Sequence, residues 1–316
     1  MKSIKRLLLN TSLLLVAVMS CQSGLAQTDC SRECVLNAVD EYVAALVARD
    51  ASSLSLADNV RSTENGIGTN LGEGIWMTIG EAGSYRQTFV DDGLQSAVFF
   101  GAFTEHTNNG EERLLLAIRF AFEGDTITEL EHMLSRPDAR NRLINRHNLT
   151  EPNPVYEEIL PVAQRSTREE LIAAGHAYFD GIANSTDEGV PMDPYCHRRE
   201  NGVTLLSNPE PENQACPTGF ARFAYITDIR DRRVAVVDEE RGLVLLWAFF
   251  DVPGNIEVSG NSGPSDVYND GQPSVDTRRQ PRSLYIAELF RVIDGGIREI
   301  EAIMFNLDFG SRSGWE

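Results

Sequence analysis

The chain has 316 residues and carries 47 acidic against 28 basic side chains, a formal net charge of −19. So acidic a surface repels phosphate, which excludes nucleic acid and anionic membrane surfaces as partners. Lys2 and Lys5 are the only lysines, so a Schiff-base or lysine-nucleophile mechanism is excluded for any chain that has lost its first residues.

Residues 1–26 read as a signal peptide. Lys2, Lys5 and Arg6 form a positive start, and the apolar run from Leu7 to Met19 is too short to cross a bilayer but suits a signal core. Two processing sites stay open. Gly24-Leu25-Ala26 is a small-x-small cleavage site, and Val18-Met19-Ser20-Cys21 is a loose lipobox that would lipidate Cys21. Met19 is awkward in a lipobox, which favours plain secretion. Either way the expected location is exported, periplasmic or secreted. Without Cys21, the set Cys30, Cys34, Cys196 and Cys216 is even, as expected in an oxidising compartment. Three connectivities are open, with the local pairs Cys30–Cys34 and Cys196–Cys216 preferred. No CxxC pair with matching His is present, so no zinc site is expected.

The chain then repeats itself. Val35 to Leu46 has helical apolar spacing and is matched by Leu171 to Ile182, with Tyr42 falling on Tyr178. At the same spacing Glu64-Asn65-Gly66-Ile67 falls on Glu200-Asn201-Gly202-Val203. Further on, Phe120 to Met133 matches Phe290 to Ile303. Three blocks in one order mark a duplication, with residues 30–134 and 167–310 as the two copies. Thr167 with Glu170 predicts a capping box at the second helix. Asn65-Gly66 and Asn201-Gly202 predict tight hairpins, because both central residues of a type I′ turn need positive φ. Leu114 to Phe122, Val234 to Val237 and Gly242 to Phe250 read as strands. The closing strand is expected to place Ile297, Glu299 and Glu301 on one face and Arg298, Ile300 and Ala302 on the other. Residues 135–166 read as a polar linker, and 252–282 as a long loop insertion, either a functional cover or disordered.

A helix, a Glu-Asn-Gly turn, a strand meander and the closing Asp294-Gly295-Gly296-Ile297-Arg298-Glu299-Ile300-Glu301 strand together resemble the SnoaL-like branch of the NTF2-like superfamily. The likeness covers roughly Cys30 to Leu134 and Thr167 to Phe309. It implies an α+β fold: two tandem cone domains, each with helices packed in a curved antiparallel sheet around a deep apolar cavity. It also implies that the copies pack through their sheets, as a homodimer would. No catalytic signature of the family maps onto the chain.

Candidate chemistry therefore comes from the residues. Glu64 and Glu200 precede Asn-Gly turns and are candidate general bases, partial burial raising their pKa. The plainer alternative, favoured about two to one, is hairpin chemistry with each Glu paired to Arg61 or Arg199. Cys196-His197-Arg198-Arg199-Glu200 is the densest polar cluster and offers His197 as an acid/base with arginine support. The first copy has no His at the equivalent place, which makes the second copy the better candidate. Substrate-binding candidates are Arg61, Trp76, Tyr85, Arg86, Arg119 and His132 in the first copy and Arg199, Trp247, Phe249, Tyr285 and Glu301 in the second. Aromatic strand residues are far more often core. Glu131 and His132 adjoin on a strand, so only one is expected to point inward. No GxSxG elbow, HExxH, P-loop or dinucleotide fingerprint is present, so no metal and no cofactor is expected. The reading preferred on these grounds is a cofactor-independent lyase, hydratase or isomerase acting on a small carbonyl or hydroxy compound. The alternatives are a non-catalytic module binding a ligand or partner, and a purely structural duplicate whose cones are filled by side chains. Polarity inside the cones discriminates among them.

Overall fold

A computed structural model describes residues 29–108, 110–136, 151–204, 220–254 and 280–315. The signal-like segment, Cys216 and residues 255–279 of the expected insertion lie outside the described residues.

The first copy runs α1 (Arg32–Ala48), β1 (Leu56–Glu64), β2 (Ile67–Gly68), α2 (Ile75–Thr78), β3 (Ile79–Asp91), β4 (Ser96–Thr107), β5 (Gly110–Glu123) and β6 (Thr126–Ser135). The second runs α3 (Arg168–Ala183), β7 (Met192–Glu200), β8 (Val203–Thr204), β9 (Asp228–Asp238), β10 (Leu243–Val252), β11 (Arg282–Ile293) and β12 (Gly296–Leu307). Each copy folds its strands into one sheet, in the orders β2-β1-β6-β5-β4-β3 and β8-β7-β12-β11-β10-β9. The two-cone α+β architecture is therefore present, with one correction to the expected antiparallel sheet. β1 pairs parallel with β6 and β7 parallel with β12, so both sheets are mixed. The meander returns its last strand alongside its first, and two strands entered from the same end must run parallel.

Ser31 caps α1 and Thr167 caps α3, the latter with the full capping box. Val35, Val39, Tyr42, Val43 and Leu46 form the buried stripe of α1, set against Phe99, Leu116, Phe120 and Leu130 inside the first cone. In the second, Leu171, Tyr178, Phe179 and Ile182 face Leu246, Ile286, Phe290 and Met304.

The Asn-Gly turns show why that motif repeats. Asn65, Gly66, Asn201 and Gly202 all have positive φ. Asn65 Oδ1 accepts from Leu134 N at 2.8 Å while its Nδ2 donates to Leu134 O at 3.2 Å. Asn201 does the same with Met304, at 2.9 and 3.0 Å. Each side-chain amide thus extends the sheet like one more peptide unit. Asn201→Ala is expected to cost about 2–3 kcal/mol, from two lost hydrogen bonds plus a strained φ. Chemical denaturation checks it, with a change below about 0.5 kcal/mol counting against this role.

The outer faces of the two sheets pack together. Tyr85, Phe100, Leu115 and Met133 of the first copy meet Trp247, Phe249, Tyr285 and Leu289 of the second in one buried cluster. Tyr156, from the connecting segment expected to be plainly polar, inserts into the same cluster and meets Phe89 edge-on at 5.9 Å. The association is reciprocal. Arg32 at the start of α1 donates to Asp238 at the end of β9 at 2.7 Å, and Arg168 at the start of α3 donates to Asp91 at the end of β3 at 2.7 Å. Equivalent residues making equivalent contacts are the mark of a two-fold interface, here within one chain.

Candidate functional site

In the first cone the central histidine is satisfied by its neighbours. His132 Nε2 lies 2.8 Å from the Tyr42 hydroxyl and Nδ1 3.0 Å from Thr63 O. Burial holds the imidazole pKa below its ordinary value, so the neutral ring donates from Nδ1 to the carbonyl and accepts from Tyr42. Trp76 and Phe120 meet the Tyr42 ring edge-on at 5.6 and 5.2 Å. Glu64 does not pair with Arg61. Its Oε2 accepts from Ile75 N at 2.8 Å, holding the start of α2, and its Oε1 pairs with Arg136 at 3.2 Å.

The second cone has the same frame and different polar groups. Sheet register puts Ala302 where the first cone has His132, opposite Glu200 as His132 lies opposite Glu64. Across the next strand pair, Glu288 stands opposite Ala302 as Ile118 stands opposite His132. Glu288 is fully buried on β11 between Ile286 and Phe290, which both point into the cone. Arg198 and Glu200 follow Cys196 on the buried face of β7 and form an ion pair, with 5 % and 6 % of their side-chain surfaces exposed. The Arg198 guanidinium lies 5.8 Å from the Tyr178 ring centre and 5.6 Å from that of Phe223.

This cluster is short of partners. Among the described residues, both Glu288 oxygens and the Arg198 Nε and Nη1 atoms find no hydrogen-bond partner, and Glu200 Oε1 has only its ion-pair contact. Leaving one such group unsatisfied in a core costs about 1–3 kcal/mol, so several in one cone are a substantial liability for a purely structural core. Burial pushes the Glu288 carboxyl up to about 7, with Arg198 opposing the shift. A carboxyl in that range holds and releases a proton near neutral pH.

The other sequence candidates lie elsewhere. His197 is half exposed and bonds Glu299 through Nδ1 at 3.0 Å, outside the cone. Arg199 does not pair with Glu200; it donates two 2.7 Å bonds to Glu301. Tyr85 also donates to Glu301, while Tyr285, Arg233 and Arg119 converge on Glu131. Trp247 and Phe249 are buried in the same inter-sheet cluster. Arg61 and Arg119 both lie over the ring of Trp315, at 4.0 and 4.6 Å from its centre. Arg86 sits at the surface with Asp40. Tyr85, Arg199, Tyr285 and Glu301 thus belong to the contact between the copies, not to a cone interior.

Glu131 and His132 are both buried, one against the partner copy and one in its own cone. The alternation expected of β12 also fails at its start. A bulge between Ile297 and Glu299 puts Ile297 on the inner face with Ile300 and Ala302. Of the cysteines, Cys30 and Cys34 are bonded to each other, and Cys196 is disulfide-bonded. Among the described residues no group of three or more His, Cys, Asp or Glu is placed to hold a metal. Glu288, which sequence reasoning left out, and Arg198, which it placed only as support for His197, form the centre of the candidate site. The available signal was an acid in the middle of the apolar run Leu284 to Ile293, in phase with Ile286 and Phe290.

Two α+β cones joined back to back, one with its central histidine bonded and one with a buried acid and arginine short of partners, define the class of protein. Residues 28–134 and 164–304 match the family model described as a domain of unknown function, DUF8021, and the chain belongs to that family. No curated protein matches the chain. Among solved structures it is similar to AusH from Aspergillus nidulans, at 8% identity and a TM-score of 0.30, covering 39% of this chain and 93% of that one. It is also similar to an NTF2-like protein of unknown function from Burkholderia pseudomallei, at 19% identity and a TM-score of 0.25, covering 33% and 91%. A putative SnoaL-like polyketide cyclase from a Jannaschia species aligns at 14% identity with a TM-score of 0.27, covering 46% and 90%.

Proposed function

We propose that the second cone is the working half of an exported protein, a cofactor-independent lyase, hydratase or isomerase for a small carbonyl or hydroxy compound, and that the first cone is its structural partner. The observation that carries this reading is Glu288: a carboxyl wholly inside the cone, without a hydrogen-bond partner among the described residues, pushed up to about 7 by burial, in the field of a buried arginine. Such a group serves as base in its ionised form and as acid once it holds the proton.

In the reaction so assigned, Glu288 takes a proton from the carbon beside a carbonyl, and the freed electron pair moves onto the carbonyl oxygen. Arg198 donates to that oxygen as charge develops. Glu288 then returns the proton, either to another carbon, which isomerises the compound, or to a departing hydroxyl, which leaves as water. Glu200 is a positioning residue that holds Arg198 by its ion pair.

The test is turnover of a panel of hydroxy acids, enones and lactones, first screened by thermal shift. Glu288→Gln is expected to lower kcat by at least about 100-fold, and His197→Ala to leave it unchanged, because His197 lies outside the cone. Stabilisation by a compound that neither wild type nor variant alters would instead favour a non-catalytic binding module. An unaltered rate in Glu288→Gln would remove Glu288 from the chemistry.

A further inference from the structure

Glu288 is sealed inside the cone, so a reactant needs a way in. A cleft of about 690 Å³ opens beside α3, walled by Ala173, Ala174 and Ala177 on the helix, Gly189 and Pro191 before β7, and Val292 at the end of β11. Ala174 and Val292 are also members of the core inside the second cone, so the floor of the cleft is the outer edge of that core. Val292, Phe290 and Glu288 project from the same face of β11 at alternate residues, about 13 Å separating the first from the last. Phe290 lies between Val292 and Glu288 along this face of the strand. Its ring packs against Tyr178 at 4.9 Å and Phe179 at 5.9 Å.

The first copy does not repeat the cleft wall. With Tyr42 aligned on Tyr178, Asn37 and Glu41 stand where the second copy has Ala173 and Ala177. The small residues thus occur on the copy that carries the unsatisfied polar centre. The charges at the cleft already have protein partners. Arg165 donates to Leu160 O at 2.9 Å and lies 3.7 Å from Glu240, Glu170 accepts from Thr167 N at 2.9 Å, and Asp294 accepts from Gln164 at 3.2 Å. The wall is left as small apolar surface with committed charges around it.

We propose that this cleft is the mouth of the second cone, and that Ala173, Ala174 and Ala177 set the size of what passes: a compact, uncharged molecule, a short chain or a single ring. The assignment rests on the reading of Glu288 as the reactive group. Phe290 turns aside to let the molecule reach the carboxyl, and Ala177, the part-buried wall residue next to Tyr178, is the specificity-determining position.

The test does not depend on knowing the substrate. Diisopropylcarbodiimide is compact, apolar and uncharged, and it reacts with protonated carboxyls. The carboxyl proton moves to one carbodiimide nitrogen while the carboxylate oxygen bonds to the central carbon, and the adduct rearranges to a stable acylurea. Labelling is followed by peptide mass mapping at about pH 6, where Glu288 holds its proton. Wild type is expected to be labelled at Glu288, and Ala177→Trp to be labelled at least tenfold more slowly. Ala173→Trp, at an exposed wall position, is a second block that leaves the core intact. Equal labelling rates in wild type and both variants, with unchanged melting temperatures, would place the mouth elsewhere. Failure of wild type to label at Glu288 would overturn the route altogether. Labelling requires no catalysis, so a protein that labels through the cleft but turns over no compound refutes the proposed reaction and leaves the mouth standing.

Discussion

Glu288→Gln is expected to make the protein more stable, by about 3 kcal/mol at about pH 8, and to leave stability unchanged at about pH 3.5. The wild-type carboxyl has its pKa raised from the ordinary 4.5 to about 7 by burial. A raised folded-state pKa means that the folded chain binds the proton more tightly than the unfolded chain. Below the ordinary value both states are protonated and nothing is lost. As pH rises from about 4.5 to about 7 the unfolded chain ionises freely while the folded chain resists. The penalty therefore grows through that window and is complete above it, at about 1.4 kcal/mol for each tenfold difference in proton affinity between the two states. Glutamine cannot ionise and escapes it. Urea titrations of wild type and variant at several pH values measure the difference directly. A pH-independent difference would mean that burial does not destabilise the ionised Glu288. A more stable and inactive variant would identify a residue retained for function against its effect on folding.

Glu131→Leu is expected to have the opposite effect, a loss of about 3–5 kcal/mol, because it removes the buried carboxylate on which two part-buried arginines converge. Glu131 is fully buried and receives Arg233 from the second copy at 2.6 and 2.9 Å and Arg119 from its own at 2.8 Å, with Tyr285 as a further donor. Burial alone would raise the carboxyl, yet the arginines outweigh it and the pKa is held below the ordinary value. A lowered folded-state pKa contributes stability that is present above the ordinary carboxylate range. That stability is lost as pH falls through the folded value. Wild type is thus expected to unfold in acid as one unit, with the contact between copies failing together with the cones. Calorimetry should give a single transition in wild type and a large downward shift in Glu131→Leu. Glu129→Leu, half exposed on the same arginine, should stay within about 0.5 kcal/mol. Two well-separated transitions in wild type would mean that the inter-copy cluster adds little.

Local features of the chain were legible because their causes are local. Thr167 and Glu170 form the capping box their spacing predicts, and the Asn-Gly turns have the positive φ values that this dipeptide supports. The matched blocks around Tyr42 and Tyr178 specify two like domains because each block is one buried face of one element, repeated. The parallel pairing of β1 with β6 was not legible, since no residue within a strand states the direction of its distant neighbour.

The site divided along the same line. Glu200 was singled out from its place before a turn, and it does lie inside the second cone. Its partner is Arg198, not Arg199, because alternation along β7 sends residues 198 and 200 inward together and residue 199 toward the other copy. Tyr85, Tyr285, Glu301 and Trp247 have the composition of a pocket wall yet serve the contact between sheets. Strand periodicity separates two faces without saying what covers either, and here both are covered. By itself the sequence determined the helices, the turns and the duplication, which depend on spacing within one segment. Only the tertiary structure decided which face of each sheet closes a cone, which meets the other copy, and that Glu288 and Arg198 share an interior. Those outcomes depend on segments distant in the chain packing against one another, and they set the local dielectric from which the chemistry follows.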